Sequence, residues 1–564
     1  MLNYLSSESY IEEFEMGTRP FKNANTGTAG FIGLAQKGPV EGKPLKVTSI
    51  TDFFRKFGGY LTEEEFGNYR YLSYTVEQFF ANGGLYCQVM RVIPKNAKAS
   101  VNSERKRQVV KLKAVNPGTW GNKINVKISK DSKARTKIVE KINNKKFRLS
   151  NRNGFNVGDI VAFVENDICK YNKIISLEND IVELKSSLRG NVIDNESDSI
   201  KYLQTCEFRL EIKYEDSVEV FEKLSLNKNS LNFVESVLKS SKIINVEIDY
   251  GKIDRVKDPF VFITNLKKES ETTMYLKGGS NGDISEIYPE NFIGDNNINK
   301  ETGINSFIDN DEVSVLSIPG VSDVEVQKKL IEHCEMYANK IAVLDISNEK
   351  NNSFELQNYK ELFNSDFAAV YHPWIKIFDP LCKKNISIPP SGSVLGIYSR
   401  TDIQRGVHKA PVNEIIKNTI GLNHNYNRNE YDLLETKGIN LIRSFAGQGI
   451  RLWCYRTLGK EDKCEYINEK RLIIFIIKSI GKNLKWASIN KNSEELQIKV
   501  KNTIDLYLTD IWRKGVLAGN SPKEAFLTEI KNYNVKDNKI EFQIKVAPTK
   551  KSEFVSLKYV QETI

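Results

Sequence analysis

The chain has 564 residues, with 82 Lys or Arg against 72 Asp or Glu for a formal charge of +10; 40% are hydrophobic and 10% aromatic. This composition excludes fibrous, collagen-like and disordered chains, and at about 150 residues per domain it implies about three to four domains. Basic and acidic residues are mixed along the chain rather than blocked, so the charge does not point to nucleic acid.

Residues 1–25 read as an arm: Tyr10-Ile11-Glu12-Glu13-Phe14 is extended and runs into Gly17-Thr18-Arg19-Pro20 before any periodic segment begins. Glu8, Glu12, Glu13 and Glu15 replace the basic and apolar regions of a secretory signal. The longest apolar run, Leu472 to Ile477, falls far short of the ~20 residues a membrane helix needs. Folding in the cytoplasm without membrane insertion is the expectation. Seven cysteines are scattered singly and are expected to be reduced and mostly buried.

From 26 to 94 the pattern is α/β. Ala29 to Leu34 reads as a buried strand, Leu72, Val76, Phe79 and Phe80 as a helix ended by Asn82-Gly83-Gly84, and Cys87 to Val92 as the next strand. Residues 95–275 are β-rich and sandwich-like, with alternating runs such as Ile124 to Ile128 and a small module inserted at about 137–204. A central α/β domain over 276–433 is expected to hold a mostly parallel sheet. Its β-α-β unit runs from Val313 to Ile318 through a helix at Asp323 to Asn339, capped by Ser322 with Glu325, to Ile341 to Ile346; Phe367 to Tyr371 extends the sheet.

Residues 434–549 start with strands at Ile439 to Ile442 and Ile450 to Tyr455, pass through helices at Asn468 to Ser479 and Ser493 to Lys514, and reach a strand with Ile540, Phe542, Ile544 and Val546 on one face. Pro548 then marks a hinge. Residues 550–564 form a second arm, where Val555, Leu557 and Tyr559 share a face against Phe554, Ser556 and Lys558. The fold class is therefore α/β plus β multidomain, with an α+β C-terminal domain.

Gly278-Gly279-Ser280-Asn281-Gly282 fits the G-x-S-x-G nucleophile elbow, but Pro289 interrupts the helix that should follow, and none of His333, His372, His408 and His424 is paired with Ser280 by spacing. A glycine-rich loop is the expected reading, and a hydrolase or binding enzyme using Ser280 and His372 is the competing one. Neither a phosphate-binding loop nor a dinucleotide fingerprint occurs. His333, beside Glu332, Cys334 and Glu335, lacks metal-ligand spacing and is expected to be an exposed polar residue. His372-Pro373-Trp374 reads as a packed loop past a parallel strand. The basic runs Arg105-Lys106-Arg107 and Lys145-Lys146 with Arg148 are too short for a nucleic-acid stripe. No catalytic, metal or cofactor residue is assigned. An acidic arm at one end and a strand beyond a proline at the other suit strand addition to a neighbouring molecule, which favours a self-assembling structural protein.

A series of short motifs spans nearly the whole chain. It begins with Tyr10-Ile11-Glu12-Glu13, Gly17-Thr18-Arg19-Pro20 and Thr28 to Gly33, then Tyr74 to Gly84, Asn116-Pro117-Gly118-Thr119-Trp120-Gly121-Asn122 and Leu276 to Gly282. It continues with Arg400-Thr401-Asp402, Arg405 to Pro411, Gly449 to Trp453, Arg456-Thr457-Leu458, Tyr466-Ile467-Asn468 with Arg471-Leu472, and Pro522 to Phe526. In number and order this resembles the tail sheath proteins of contractile phage tails and related contractile injection systems; Cys454 stands where the family usually has a small residue. The resemblance implies stacked hexameric rings around an inner tube, contraction that drives the tube through an envelope, and baseplate and tail-terminator partners. It implies no enzymatic activity, cofactor or nucleic acid partner, and a place in a phage tail or injection particle. It also implies that Tyr10, Ile11, Glu12, Glu13 and Phe14, with Phe554, Val555, Ser556, Leu557, Lys558, Tyr559 and Val560, pair with sheets in neighbouring subunits, with Pro20 and Pro548 flanking the hinges. The C-terminal domain would face the tube through a helix carrying Pro522, Lys523, Glu524, Phe526 and Glu529, and the β domain would face outward. The central domain would be subtilisin-like in fold and non-catalytic.

Overall fold

The computed structural model describes residues 21–102, 109–165, 168–188, 201–253, 256, 258–264, 270–297, 300–460, 464–531, 538–549 and 553–563. Nine strands form the central sheet: β1 (Ala29–Leu34), β2 (Leu45–Val47), β3 (Cys87–Val92), β4 (Val315–Ser317), β5 (Ile341–Asp345), β6 (Ala368–His372), β7 (Glu414–Ile415), β8 (Asn440–Phe445) and β9 (Gly449–Leu452). Their order is β2-β3-β1-β4-β5-β6-β8-β9-β7, and the strands from β3 to β8 run parallel. Strands covered on both faces read as near-continuous apolar runs, as β1, β5 and β6 do.

Alternation divides the core. Phe31, Val89 and Tyr371 face helices α1 (Leu72–Ala81) and, later in the chain, α3 (Ser391–Arg405), while Ile32, Leu316 and Val370 face α2 (Val324–Tyr337). α1 and α3 meet backbone to backbone: a Cβ on Gly392 would lie 2.1 Å from the Thr75 carbonyl oxygen, and one on Gly396 2.5 Å from that of Phe79. Only glycine permits that approach.

Three expectations change here. The cap of α2 is Asp323, whose carboxylate accepts from the N–H groups of Glu325 and Val326; it lies one residue past Ser322. His333 is 6% exposed rather than a surface residue, because the helix turns it onto the core beside Leu330 and Cys334. Residues 440–452, which the sequence assigned to the C-terminal domain, belong to the central sheet, because β8 pairs in parallel with β6.

The β-rich region holds a four-stranded sheet, in the order Ser217–Leu224, Glu207–Tyr214, Asn125–Asp131, Glu271–Tyr275, over a core that includes Val126, Ile128, Phe208 and Leu210. Between Arg135 and Thr205 six strands close into a barrel with its own core of Phe147, Phe163, Ile174, Val182 and Leu203. Closure leaves the barrel no free sheet edge. At its base Lys133 Nζ lies 2.7 Å from Asp159 Oδ2 and 3.6 Å from Glu207 Oε1, with both carboxylates buried. Lys133→Ala is expected to cost about 1–3 kcal/mol, since Asp159 keeps the donors Asn227 and Asn156 but loses its cation. Urea unfolding followed by limited proteolysis within the barrel measures this.

The last unit packs helices α4 (Ile467–Asn483) and α5 (Glu494–Arg513) on an antiparallel sheet of β10 (Phe526–Ile530), β11 (Lys539–Val546) and β12 (Val555–Glu562). The helix expected to carry Pro522 to Glu529 stops at Ala525 after four residues. Phe526 and Glu529 stand on strand β10 instead. Phe526, Thr528 and Ile530 alternate inward with period two, and β10 pairs from Phe526↔Val546 to Ile530↔Phe542.

Candidate assembly surface at the chain termini

Residues 21–28 form a strap laid antiparallel along α4. Lys22 N donates to Asn483 Oδ1 (3.0 Å) and Asn483 Nδ2 returns to the Lys22 carbonyl (2.9 Å). Ala24 N donates to Ser479 Oγ (2.9 Å), and Arg471 Nη2 donates to the Thr26 carbonyl (3.1 Å). Arg471, Ser479 and Asn483 recur at multiples of four and so share one helix face. Phe21 stacks on Tyr507 of α5 with ring centroids 4.7 Å apart. The anchor is the ion pair of Arg471 with Asp402 of α3, at 2.9 and 2.5 Å, whose side chains are 5% and 4% exposed. In the sequence both residues stand out only as members of short motifs. Their partnership is a contact between residues 69 apart, which no local pattern encodes.

The other terminus arrives at the same helix. β12 pairs with β11 from Lys539↔Glu562 to Val546↔Val555. Leu557 and Gln561 turn inward with the half-buried Val555 and Tyr559, whereas Phe554, Ser556, Lys558, Val560 and Glu562 turn out. The Tyr559 ring approaches Gly481 of α4, where an added Cβ would be 3.9 Å away. On the outward face Lys558 pairs with Glu541 (2.5 Å) and Lys539 with Glu562 (3.5 Å); being exposed, each contributes about 0–1 kcal/mol. Among the described residues the outer edges of β10 and β12 have no strand partner. Such edges template further pairing.

The structure thus places Val555 to Val560 against the chain's own β11, Phe554 just before that strand, and Pro548 in the connection between β11 and β12. Tyr10, Ile11, Glu12, Glu13, Phe14 and Pro20 lie outside the described residues. Pro522 and Lys523 are exposed, Glu524 accepts from Asn520 N (2.9 Å), Glu529 pairs with Lys531 (2.9 Å), and Phe526 packs inward.

Ser280 sits in a backbone bridge with Lys98, and its Oγ accepts from Gly282 N (3.1 Å); a short turn at Ile284–Glu286 follows in place of an elbow helix. His372 ends β6 fully buried, and neither ring nitrogen has a hydrogen-bond partner among the described residues, so it makes no hydrogen bond to Ser280. Burial, reinforced by His424, pushes the His372 imidazolium down to about 3, and burial with Lys340 pushes His333 down to about 4. Among the described residues no group of three or more His, Cys, Asp or Glu is placed to hold a metal, and no helix is long and apolar enough to cross a membrane.

These shifts carry a sign. A histidine whose folded pKa lies below its unfolded 6.5 takes up its proton on unfolding, so stability falls as pH drops from about 6.5 towards 4. Asp345, buried and raised to about 6, contributes the opposite slope between its unfolded 3.8 and 6. His372→Phe is expected to flatten the loss between pH 6.5 and 4, as read by denaturant unfolding across that range.

Residues 299–458, from just before β4 to just past β9, match a family model described as the phage tail sheath protein central domain. A curated relative, the putative prophage major tail sheath protein of Pseudomonas aeruginosa, is 23% identical over 230 residues; the match spans 39% of this chain and 58% of that relative. Among solved structures, the sheath tail protein of Listeria innocua superposes with a TM-score of 0.58 at 11% identity over 96% of each chain. The sheath complex of an extracellular contractile injection system, PVC, in its contracted state, gives 0.50 at 16% identity over 100% of this chain and 99% of that one. At these identities the likeness is one of fold.

Proposed function

We propose that this chain, one of the contractile tail sheath proteins, is the structural subunit of a sleeve that stacks as hexameric rings around an inner tube and contracts to drive that tube through a target envelope. The observation that supports this most is the convergence of both chain ends on α4, beside a three-stranded sheet whose edges are unpartnered among the described residues. In this reading Tyr10 to Phe14 and Phe554 to Val560 are exchanged between neighbours, with main-chain hydrogen bonds supplying affinity and alternate side chains supplying register. Pro20 and Pro548 flank the hinges. The outer β region and its barrel point away from the tube. Tube contact falls to Pro522, Lys523, Glu524 and Glu529, since Phe526 is committed to the chain's own core.

The subunit works without catalysis or a cofactor. It assembles in the bacterial cytoplasm and meets baseplate and terminator proteins at the sleeve's ends. The work of contraction is stored at assembly in a metastable extended state, and released when near-rigid subunits rotate into an arrangement that buries more surface. Negative-stain electron microscopy of the full chain, alone and with its tube protein, tests this. Hollow striated cylinders are expected; a dispersed monomer with the tube protein present would refute it.

A further inference from the structure

Where the chain passes from the four-stranded sheet into the barrel and back, an amine and two carboxyl groups close on one another. Lys133 lies on the outgoing crossing, between the strands Asn125–Asp131 and Arg135–Lys141; Glu207 opens the strand Glu207–Tyr214 on the return; Asp159 immediately precedes the barrel strand Ile160–Glu165. The side chains of Asp159 and Glu207 are each 1% exposed and that of Lys133 is 13% exposed. Lys133 Nζ, 2.7 Å from Asp159 Oδ2 and 3.6 Å from Glu207 Oε1, is shielded from solvent, yet it has no hydrogen-bond partner among the described residues. The short contact with Asp159 is therefore out of line for a hydrogen bond. Such a placement serves a buried ammonium with three N–H groups poorly, but it presents a primary amine to a carboxyl group at reacting distance.

Both carboxyl groups are held in place. Asp159 Oδ1 accepts from Asn227 Nδ2 (2.8 Å) and Oδ2 from Asn156 N (2.8 Å), and Asn227 Nδ2 is itself tethered by donating to the Val157 carbonyl (3.0 Å). Glu207 Oε2 accepts from Lys133 N (2.9 Å), which leaves Oε1 as the oxygen nearer Nζ. Burial pushes the Glu207 carboxyl above its ordinary value, against the hydrogen bonds from Thr205 and the Lys133 N–H and the Lys133 charge, and with help from Asp159. A carboxyl so placed can take up a proton and return it. The three parts of an acyl transfer are present: an amine nucleophile, a carbonyl oxygen held by a fixed donor, and a proton carrier.

We propose that Lys133 and Asp159 become joined by an amide bond that the folded chain forms by itself, with Glu207 relaying the protons and Asn227 holding the oxygen that stays. One proton leaves the Lys133 ammonium and passes through Glu207 to Asp159 Oδ2, so that a free amine faces a neutral acid. The nitrogen then attacks Cγ; the C–N bond forms as the carbonyl electrons move onto Oδ1, against the Asn227 donor. A second proton passes from nitrogen through Glu207 to Oδ2, the Cγ–Oδ2 bond breaks, and Oδ2 departs with both protons as water. Glu207 ends as it began, and nothing is oxidised or reduced. The bond closes residues 133–159 into a ring and staples the barrel at its base, restricting the unfolded chain as a disulfide would. The cost given above for Lys133→Ala is that of the unreacted ion pair, and the amide adds to it. The reaction occurs once in each chain and does not depend on assembly.

Intact-mass spectrometry of the purified full chain under denaturing conditions tests this. Wild type is expected to be lighter than its sequence mass by one water, whereas Lys133→Arg and Glu207→Gln keep their full sequence masses. Tryptic digestion of wild type alone, which needs no variant to fold, should yield a branched peptide in which 131–135 is joined to 153–170, uncut at Lys133. That peptide distinguishes the amide from water lost by cyclisation at a single aspartate. Folded wild type at its full sequence mass, cut normally after Lys133, overturns the bond. A Glu207→Gln chain that still carries the branched peptide overturns the role given to Glu207.

Discussion

Replacing Arg471 by methionine is expected to destabilise the chain by roughly 3–5 kcal/mol, the cost of breaking a buried ion pair by removing one partner. Asp402, 4% exposed, would be left without its cation on α3, and the Thr26 carbonyl would lose its donor. The guanidinium also lies over the Tyr398 ring, 4.7 Å from its centroid, and the Tyr398 hydroxyl is bonded to that of Tyr371 (2.5 Å), so the loss reaches the central core. Arg471→Lys keeps the charge but not the two-pronged geometry and should recover only part of the loss. Denaturant unfolding gives the magnitude. Proteolysis near residues 20–28 tests the mechanism: the strap should be cut faster in Arg471→Met than in wild type, and equal rates would show that Arg471 does not anchor it.

Deleting residues 553–564 is expected to abolish sleeves while leaving the central domain folded. The strand contributes Leu557, whose burial is worth about 1.5–3 kcal/mol, and an eight-residue ladder, whereas the core of the central sheet does not depend on it. The expected product is a soluble chain with a native-like circular dichroism spectrum and no cylinders by electron microscopy. Deleting residues 1–20 should do the same. Cylinders of normal length from either truncation would contradict the proposed role of the arms.

What the sequence made legible follows from periodicity. The helix over Leu72 to Ala81 and the inward face Ile540, Phe542, Ile544 and Val546 each repeat with the period of their structure, so local pattern suffices. The strand at Phe526–Ile530 was hidden because Pro522 opens a genuine helical turn, and five residues are too few for a period-two signal to override it. The placement of 440–452 in the central sheet, the strap along α4 and the Arg471–Asp402 pair are long-range contacts. The apolar fill around His333 reads equally well as the exposed side of a helix until the packing partners are known.

Strand exchange is tested by trapping the register that a single chain already displays. Gln543 and Lys558 stand directly opposite one another on β11 and β12, so cysteines at both positions, with the exposed Cys169 and Cys382 changed to serine, will bond wherever that register forms. The measurement is denaturing, non-reducing electrophoresis of Gln543→Cys, Lys558→Cys particles oxidised after assembly. Exchange between subunits predicts a ladder of covalent oligomers that collapses to the 64.4 kDa chain on reduction. A single monomer band, carrying an internal disulfide, from particles that are intact cylinders would contradict it.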